Sequence, residues 1–436
     1  MKSRSPFKPL WLQWCASTLL GLCLLLAWAH PAHAATEPTP DDDRLVLVML
    51  QLPRAHFRPE GSYASSYGAS VGRQARLQVA QALAQDFKLQ LRSEWPMPAL
   101  AIDCFVMQLP AADSRSAADV AQAVSADKRV AWAQLSQQFQ GLATSPEPSA
   151  AQEPLYAAQP AAGQWHLAAL HRVSTGRGVR IAIIDSGVDQ QHPDLQGQLE
   201  RATSFVDDLP PPPELHGTAV AGIIAARADN HLGIAGVAPE ARLLALRACR
   251  QASGDQTLCS TLSLAKALHA AIDDGAQILN LSWGGPPDKL LGLLLDQAMA
   301  RGAAVVAAQP GRPGQFPAAH PGVLTVSTTA AATVTSSAGD TVSAPGRDVP
   351  STVPGGGWAL VNGSSYAAPH VAGLLALLQA VDGQRWRPGT ARQSLVLDAQ
   401  GRVDACASLA KRLPASAAVK LETRDNGCEP ARHTAR

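Results

Sequence analysis

The chain has 436 residues, of which 46% are hydrophobic and 16% are charged, and its formal net charge is +1. A chain of this length can form two domains with a large core. The near-neutral charge excludes the strongly basic surface typical of nucleic-acid binding, so no nucleic acid is expected as a partner.

The first 34 residues are predicted to be a secretory signal peptide. Three basic residues precede an apolar stretch from Trp11 to Ala29, and the small-residue cleavage signal Ala32-His33-Ala34 follows it. Cleavage removes three positive charges and no negative charge, which leaves a mature chain of −2 that is secreted or periplasmic and not bound to a membrane. The alternative is an uncleaved anchor, because about 19 apolar residues almost suffice to span a bilayer.

Residues 35–140 are predicted to form a small α+β domain with the order βαββαβ, the split ferredoxin-like pattern. Its elements are a strand at 44–52, a helix around 75–87, strands at 89–91 and 100–109 about a turn at 95–98, a helix after Ser116, and a strand at 130–139. Residues 141–163 are rich in Ala, Pro, Ser, Gln and Glu, which predicts a linker and processing region.

Residues 164–382 alternate apolar strands with helices, which predicts a doubly wound, mainly parallel α/β sheet. Strands are expected at 179–184, 241–248, 278–281, 303–308 and 323–327, and helices at 263–274, at 290–301, from His216 and from Ser365, with Pro369 near the first turn of the last one. Active sites in such sheets lie at the carboxyl ends of strands. Residues 383–436 form a C-terminal extension.

Three side chains in this domain have the residue types that nucleophilic catalysis requires. Asp185 follows a buried strand, His216 begins a helix of very small residues, and Ser365 begins an apolar helix. Each alone has a structural explanation, as a turn residue, a core histidine or a helix cap. Together they predict a serine nucleophile, a histidine base and an aspartate that orients the base.

The order Asp, His, Ser resembles that of the subtilisin-like serine peptidases, the subtilases. The resemblance covers 164–382 and rests on the motifs Asp185-Ser-Gly-Val-Asp, His216-Gly-Thr-Ala-Val-Ala-Gly, Asn280-Leu-Ser-Trp-Gly-Gly and Gly363-Ser-Ser365-Tyr-Ala-Ala-Pro. It implies that Ser365 is the nucleophile, His216 the general base and Asp185 its orienting partner. It also implies that Ser282, Trp283 and Gly284 pair with an extended polypeptide substrate.

The same resemblance implies that the N-terminal domain is an inhibitory propeptide, so the chain would be a self-processing zymogen, expected to act as a monomer. One departure concerns the oxyanion hole. The family places a Gly-Asn pair after the strand at 303–308, whereas this chain has Gln309-Pro310-Gly311-Arg312. The Gln309 amide is the candidate donor, and a backbone N–H of Gly311 or Arg312 is the alternative.

No cofactor and no metal site are predicted. Asp229 and Asn230 lie where some subtilases bind calcium, but two oxygen side chains are far fewer than the six to eight ligands calcium takes.

Export permits disulfides, and five of the seven cysteines lie outside the signal segment. If cleavage between 105 and 240 separates Cys104 from the rest, the local pairs are Cys249 with Cys259 and Cys406 with Cys428.

The sequence thus predicts a secreted serine endopeptidase. The alternative is a catalytically weak or silent subtilase fold that binds peptides or proteins, because the family's oxyanion asparagine is missing. An α/β-hydrolase esterase is disfavoured because Gly363-Ser-Ser-Tyr-Ala is not Gly-x-Ser-x-Gly.

Overall fold

A four-stranded antiparallel sheet with two helices forms the N-terminal part of the protein. The structure, a computed structural model, describes residues 42–51, 65–142, 144–147, 155–207, 209–252, 256–312, 314–328, 341–383, 385–413, 421–424 and 427–430, with backbone alone at 42, 65–72, 144–147, 382, 421–424 and 427–430. The N-terminal elements are β1 (Leu45–Gln51), α1 (Ser65–Asp86), β2 (Gln90–Met97), β3 (Ile102–Gln108), α2 (Ala117–Ser125) and β4 (Trp132–Leu135). The strand order β2-β3-β1-β4 is that of the predicted ferredoxin-like unit.

Two local predictions in this unit were wrong. The expected turn at 95–98 lies largely in β2, where Pro96 pairs with Asp103. Because β2 is an edge strand, a residue without an N–H is tolerated there. The expected strand at 130–139 divides into β4 and β5 (Gln138–Gly141), and β5 joins a different sheet together with residues of the larger domain.

The larger domain is built on a seven-stranded parallel sheet, which confirms the predicted fold class. Its elements, from the linker onward, are β6 (Thr144–Glu147), α3 (Pro160–Gln164), α4 (Leu167–His171), β7 (Arg180–Asp185), β8 (Leu199–Ser204), α5 (Leu215–Ala225), β9 (Arg242–Arg247), β10 (Cys249–Gln251), β11 (Thr257–Ser260), α6 (Thr261–Asp273), β12 (Ile278–Leu281), β13 (Trp283–Gly284), α7 (Lys289–Ala300), β14 (Ala304–Ala308), β15 (Leu324–Thr328), β16 (Thr341–Ala344), β17 (Val349–Val353), β18 (Gly357–Asn362) and α8 (Ser364–Asp382). The strand order is β16-β15-β14-β12-β7-β9-β8.

Both faces of this sheet are covered, which explains why its strands are continuously apolar. Ile181 and Ile183 of β7 share a buried cluster with α5 and α8, whereas Ala182 and Ile184 share another with α6 and α7. The chain continues from β7 to β8 and β9 on one side, and later returns to β12 on the other. The carboxyl ends of β7 and β12 therefore flank a topological switch point, the usual place for a site in a doubly wound sheet.

The N-terminal sheet packs on the larger domain through one of its faces. Val46, Val48 and Leu50 of β1 face α1 and α2, while Leu47 and Met49 belong to the apolar cluster that contains α6 and α7. The alternating side chains of one strand thus bury both faces of the small sheet.

The C-terminal extension contains β19 (Val396–Leu397), β20 (Val403–Asp404), α9 (Ala405–Ala410), β21 (Leu421–Arg424) and β22 (Gly427–Pro430). Cys406 lies in α9. Within the residues that the structure describes, no helix has the length and apolarity needed to cross a membrane. The predicted signal segment lies outside those residues.

Candidate active site

Asp185 and His216 form a buried pair at the carboxyl end of β7. His216 Nδ1 lies 2.6 Å from Asp185 Oδ1, and the two side chains are 6% and 1% exposed. A carboxylate oxygen can only accept, so Nδ1 carries a hydrogen, and in the corresponding neutral tautomer Nε2 is the nitrogen without one. Small residues allow this approach, because a Cβ atom on Gly217 would lie 2.3 Å from the backbone oxygen of Ser186.

A second buried carboxylate, which the sequence reading missed, connects the loops that carry this pair. Glu214 accepts hydrogen bonds from Arg247 Nε at 2.8 Å and from the backbone N–H groups of Gly187 and Gln251 at 2.5 and 2.9 Å. Glu214 lies two residues before His216, and Gly187 lies two residues after Asp185. The signal available in sequence was Arg247, a charged residue directly after the apolar run from Leu243 to Leu246.

Ser365 is the second residue of α8 and is fully buried. The preceding Gly363 has φ 136°, which favours glycine. Among the described residues, neither Ser365 Oγ nor His216 Nε2 has a hydrogen-bond partner. The ring of Tyr366 lies 5.3 Å from the imidazole of His216.

Pro369 lies inside α8 rather than in its first turn, which corrects the sequence prediction. A proline cannot donate to the carbonyl four residues earlier, so the carbonyl of Ser365 lacks its helical partner. Ser282 Oγ donates to that carbonyl at 2.9 Å and accepts from Asn280 Nδ2 at 2.9 Å. The Asn-Leu-Ser motif therefore supports the serine helix directly.

Gln309 follows β14 and is held against the same helix by its backbone. Its N–H donates to Val326 O at 2.8 Å, and its carbonyl accepts from Ser364 Oγ at 2.6 Å. The Gln309 side chain is partly exposed, next to Pro310 and Gly311. Its proposed part in an oxyanion hole remains a prediction.

The end of the N-terminal unit, strand β5, lies in a groove between β11 and β13. Strand β5 runs antiparallel between β11 and β13, with Gln140 opposite Leu258 on one side and Gly284 on the other. Leu142 N donates to Ser282 O at 3.2 Å. Ser282, Trp283 and Gly284, predicted to bind an extended chain, thus contact a segment of this protein.

Strand β6 pairs with the strand that precedes Ser365. That strand is β18, and Thr144 of β6 lies opposite its Asn362, three residues before Ser365. Leu142 thus bonds to Ser282, whose hydroxyl donates to the Ser365 carbonyl, and Thr144 pairs with the strand that leads into Ser365. The first residues of the predicted linker therefore pair with strands of the larger domain, Gly141 with β13 and β6 with β18.

The loop at Asp229 and Asn230 is organised by hydrogen bonds. Asp194, which is fully buried, accepts from Asn230 Nδ2, Ile234 N and Trp358 Nε1 at 2.7, 3.1 and 2.8 Å. In the part of the chain that the structure describes, no three His, Cys, Asp or Glu side chains are grouped to hold a metal ion.

Cys249 and Cys259 form a disulfide across the β10–β11 pair. Cys406 is also disulfide-bonded, while the side chain of Cys428 lies outside the described residues, so their pairing stays a prediction. Cys104 is free and buried, and burial raises the pKa of its thiol to about 12.

Asp185 thus contacts His216 at the end of β7, and the residue that follows Ser365, Tyr366, contacts the ring of His216. The model of the "Subtilase family" matches residues 176–423. The thermophilic serine proteinase of Bacillus sp. (strain AK1) is 42% identical over 214 residues, which cover 46% of this chain and 52% of the relative. Subtilisin Savinase of Lederbergia lenta is 39% identical over 224 residues, covering 49% of this chain and 80% of the relative.

The structure of fervidolysin from Fervidobacterium pennivorans, a keratinolytic enzyme related to subtilisin, is similar to this fold. Its TM-score is 0.63 at 22% identity, with 87% of this chain and 63% of that chain covered. The chain belongs to the subtilase family. The match spans about half the length of the Bacillus relative.

Proposed function

We propose that the protein is a serine endopeptidase that hydrolyses peptide bonds of polypeptides through Asp185, His216 and Ser365. The 2.6 Å contact between Asp185 and His216 carries this proposal, because it leaves Nε2 as the base for a serine. His216 takes the proton of Ser365 Oγ as the oxygen attacks the carbonyl carbon. The imidazolium then protonates the leaving amine when the C–N bond breaks, and water hydrolyses the acyl-enzyme.

The developing oxyanion requires N–H donors. The N–H of Ser365 is available in principle, because the first turn of a helix leaves its N–H groups without helical acceptors. The second donor in this proposal is the Gln309 amide or a backbone N–H of Gly311 or Arg312.

The protein is further proposed to be a zymogen that cleaves itself after Leu142, in the region predicted for processing. The N–H of Leu142 donates a hydrogen bond to the Ser282 carbonyl, and the Ser282 hydroxyl donates one to the carbonyl of Ser365. These two contacts support Leu142 as the residue before the cleaved peptide bond. The N-terminal segment would then act as an inhibitor, since it occupies the strand at Ser282, Trp283 and Gly284 that is proposed to bind the substrate. Signal cleavage, export to the periplasm or beyond, and a monomeric state complete the proposal.

The test follows the mass of full-length wild type, Ser365→Ala and Asp185→Asn proteins over hours. Wild type is expected to yield fragments that end at Leu142 and begin at Ala143, while Ser365→Ala stays intact. Asp185→Asn keeps the shape of the site but loses the correct tautomer, so cleavage should be slower by about 10⁴-fold.

The alternative is a silent subtilase fold that binds peptides, which the missing oxyanion asparagine motivates. Intact wild type, no activity after residues up to 163 are removed by an added protease, and no labelling of Ser365 by a serine-reactive phosphonate would together favour this alternative.

A further inference from the structure

The segment in the groove shows which side chains the groove can hold. This reasoning rests on the proposed function, because it treats Leu142 as the residue before the cleaved bond. Counting back from that bond, Leu142 is first, Gly141 second, Gln140 third and Phe139 fourth.

At the second position the groove has no space for a side chain. A Cβ atom on Gly141 would lie 2.8 Å from Thr257 Cβ and 3.2 Å from Thr257 Oγ1. Real Cβ contacts are almost never shorter than 3.0 Å, so one of the two strands would have to move. The atom in the way is the Cβ of a β-branched residue, which rotation about χ1 cannot displace.

Thr257 is held firmly in place. It is 5% exposed and lies at the start of β11, which pairs with β10 on one side and β5 on the other. The Cys249–Cys259 disulfide closes the same hairpin two residues further on. Moving Thr257 away from a substrate therefore requires moving a cross-linked pair of strands.

At the fourth position the groove has a pocket for an aromatic ring. Phe139 is fully buried, and its ring lies 5.3 Å from Trp283 and 6.3 Å from Phe316. The base of this pocket is Gly285, where a Cβ atom would lie 2.3 Å from Phe139 Cδ1. Gln140, in contrast, is exposed, so the third position is unrestricted.

We propose that Thr257 determines the specificity of the enzyme by restricting the second residue before the cleaved bond to glycine. The substrates are chains with glycine at the second position before the cleaved bond, of which Gly141-Leu142 is the example within this protein.

The test uses the mature enzyme with the fluorogenic amides of acetyl-Phe-Gln-Gly-Leu and acetyl-Phe-Gln-Ala-Leu. Each result is a ratio of kcat/KM values within one enzyme, so differences in total activity between variants cancel. In wild type we expect replacement of glycine by alanine to lower kcat/KM by about 10- to 100-fold.

Two variants of Thr257 form a matched pair. Thr257→Gly removes the obstructing Cβ atom and should reduce the Gly/Ala ratio to below about threefold, while Thr257→Ser keeps that atom and should retain a ratio of at least about tenfold.

The inference is overturned if wild type cleaves the Gly and Ala peptides equally while Ser365 is active, a result that leaves the peptidase proposal intact. It is equally overturned if Thr257→Ser and Thr257→Gly lose the discrimination together. If no peptide is cleaved and a phosphonate fails to label Ser365, both proposals fail.

Discussion

The hydroxyl of Ser282 donates a hydrogen bond to the backbone carbonyl of Ser365 at 2.9 Å. Pro369 lacks the N–H that would otherwise bond this carbonyl, so the donor comes from Ser282, which lies between β12 and β13 and 83 residues earlier in the chain. The serine helix and the groove that binds an extended chain are thereby connected through one side chain.

Ser282→Ala should lower the free energy of unfolding by about 1 to 3 kcal/mol, because it leaves a buried carbonyl without a donor. The measurement is urea unfolding in a Ser365→Ala background, which prevents self-digestion. Pro369→Ala is the matched control, since it restores a helical donor. An equal cost of Ser282→Ala with and without Pro369→Ala would contradict the explanation.

Gln309→Ala should lower kcat by about 10²- to 10³-fold if the side-chain amide stabilises the oxyanion, with little change in KM. Gln309→Glu, which has nearly the same size but presents oxygen atoms only, should be no more active. Activity close to wild type in both variants would instead assign the second donor to a backbone N–H of Gly311 or Arg312.

Glu214→Gln should destabilise the protein by about 3 kcal/mol, because it leaves the largely buried Arg247 guanidinium without its main carboxylate. The double variant Glu214→Gln/Arg247→Met removes the uncompensated charge and should recover part of this loss. Urea unfolding of the parent protein, the two single variants Glu214→Gln and Arg247→Met, and the double variant measures the coupling between the two residues. If the effects of the two single variants on the free energy of unfolding add up in the double variant, the two residues do not stabilise the protein as a pair.

The stability should fall as the pH drops from about 6.5 to 4, partly because of His370. Burial lowers the pKa of this histidine from 6.5 to about 4, against a smaller opposite effect of its hydrogen bond to the Tyr366 carbonyl. In this interval the unfolded chain binds a proton that the folded state does not, so protonation favours unfolding.

His370→Asn keeps a donor for that carbonyl but does not titrate. Its loss of unfolding free energy between pH 7 and 4.5 should be about 2 to 3 kcal/mol smaller than in the parent, both measured in the Ser365→Ala background. Identical pH profiles would refute the assignment to His370.

Cys249→Ala/Cys259→Ala should lower the free energy of unfolding, measured with urea, by about 2 to 3 kcal/mol, since the disulfide closes a loop with a sequence separation of 10.

Peptide mapping without reductant should join Cys406 to Cys428. A bridge from Cys104 to any other cysteine would contradict the predicted pairing.

Local pattern explains why several elements were predictable. Asp185 ends β7 after a run of apolar residues, and the strand at Ile278–Leu281 has the predicted bounds. Ser116 caps α2 by accepting from Asp119 N, as the local motif indicates. Such features depend on neighbours within a few residues, so they can be read directly from the sequence.

The pairing of residues 138–142 and 144–147 could not be read in this way. The local pattern predicts one strand at 130–139, because Phe139 continues the apolar pattern of that stretch. The partners of β5 are Cys259 and Trp283, each more than 100 residues away. Pairing over such separations depends on the assembled groove and leaves no periodic mark in the local sequence.

The sequence by itself determined the family, the α/β fold class and the three candidate catalytic side chains, because these follow from motifs, their order and the periodicity of apolar residues. Only the tertiary structure decided what lies in the groove, what supports Ser365 and what limits the position of Gly141. Those features are contacts between distant segments, and their energies depend on burial and distance in the folded chain.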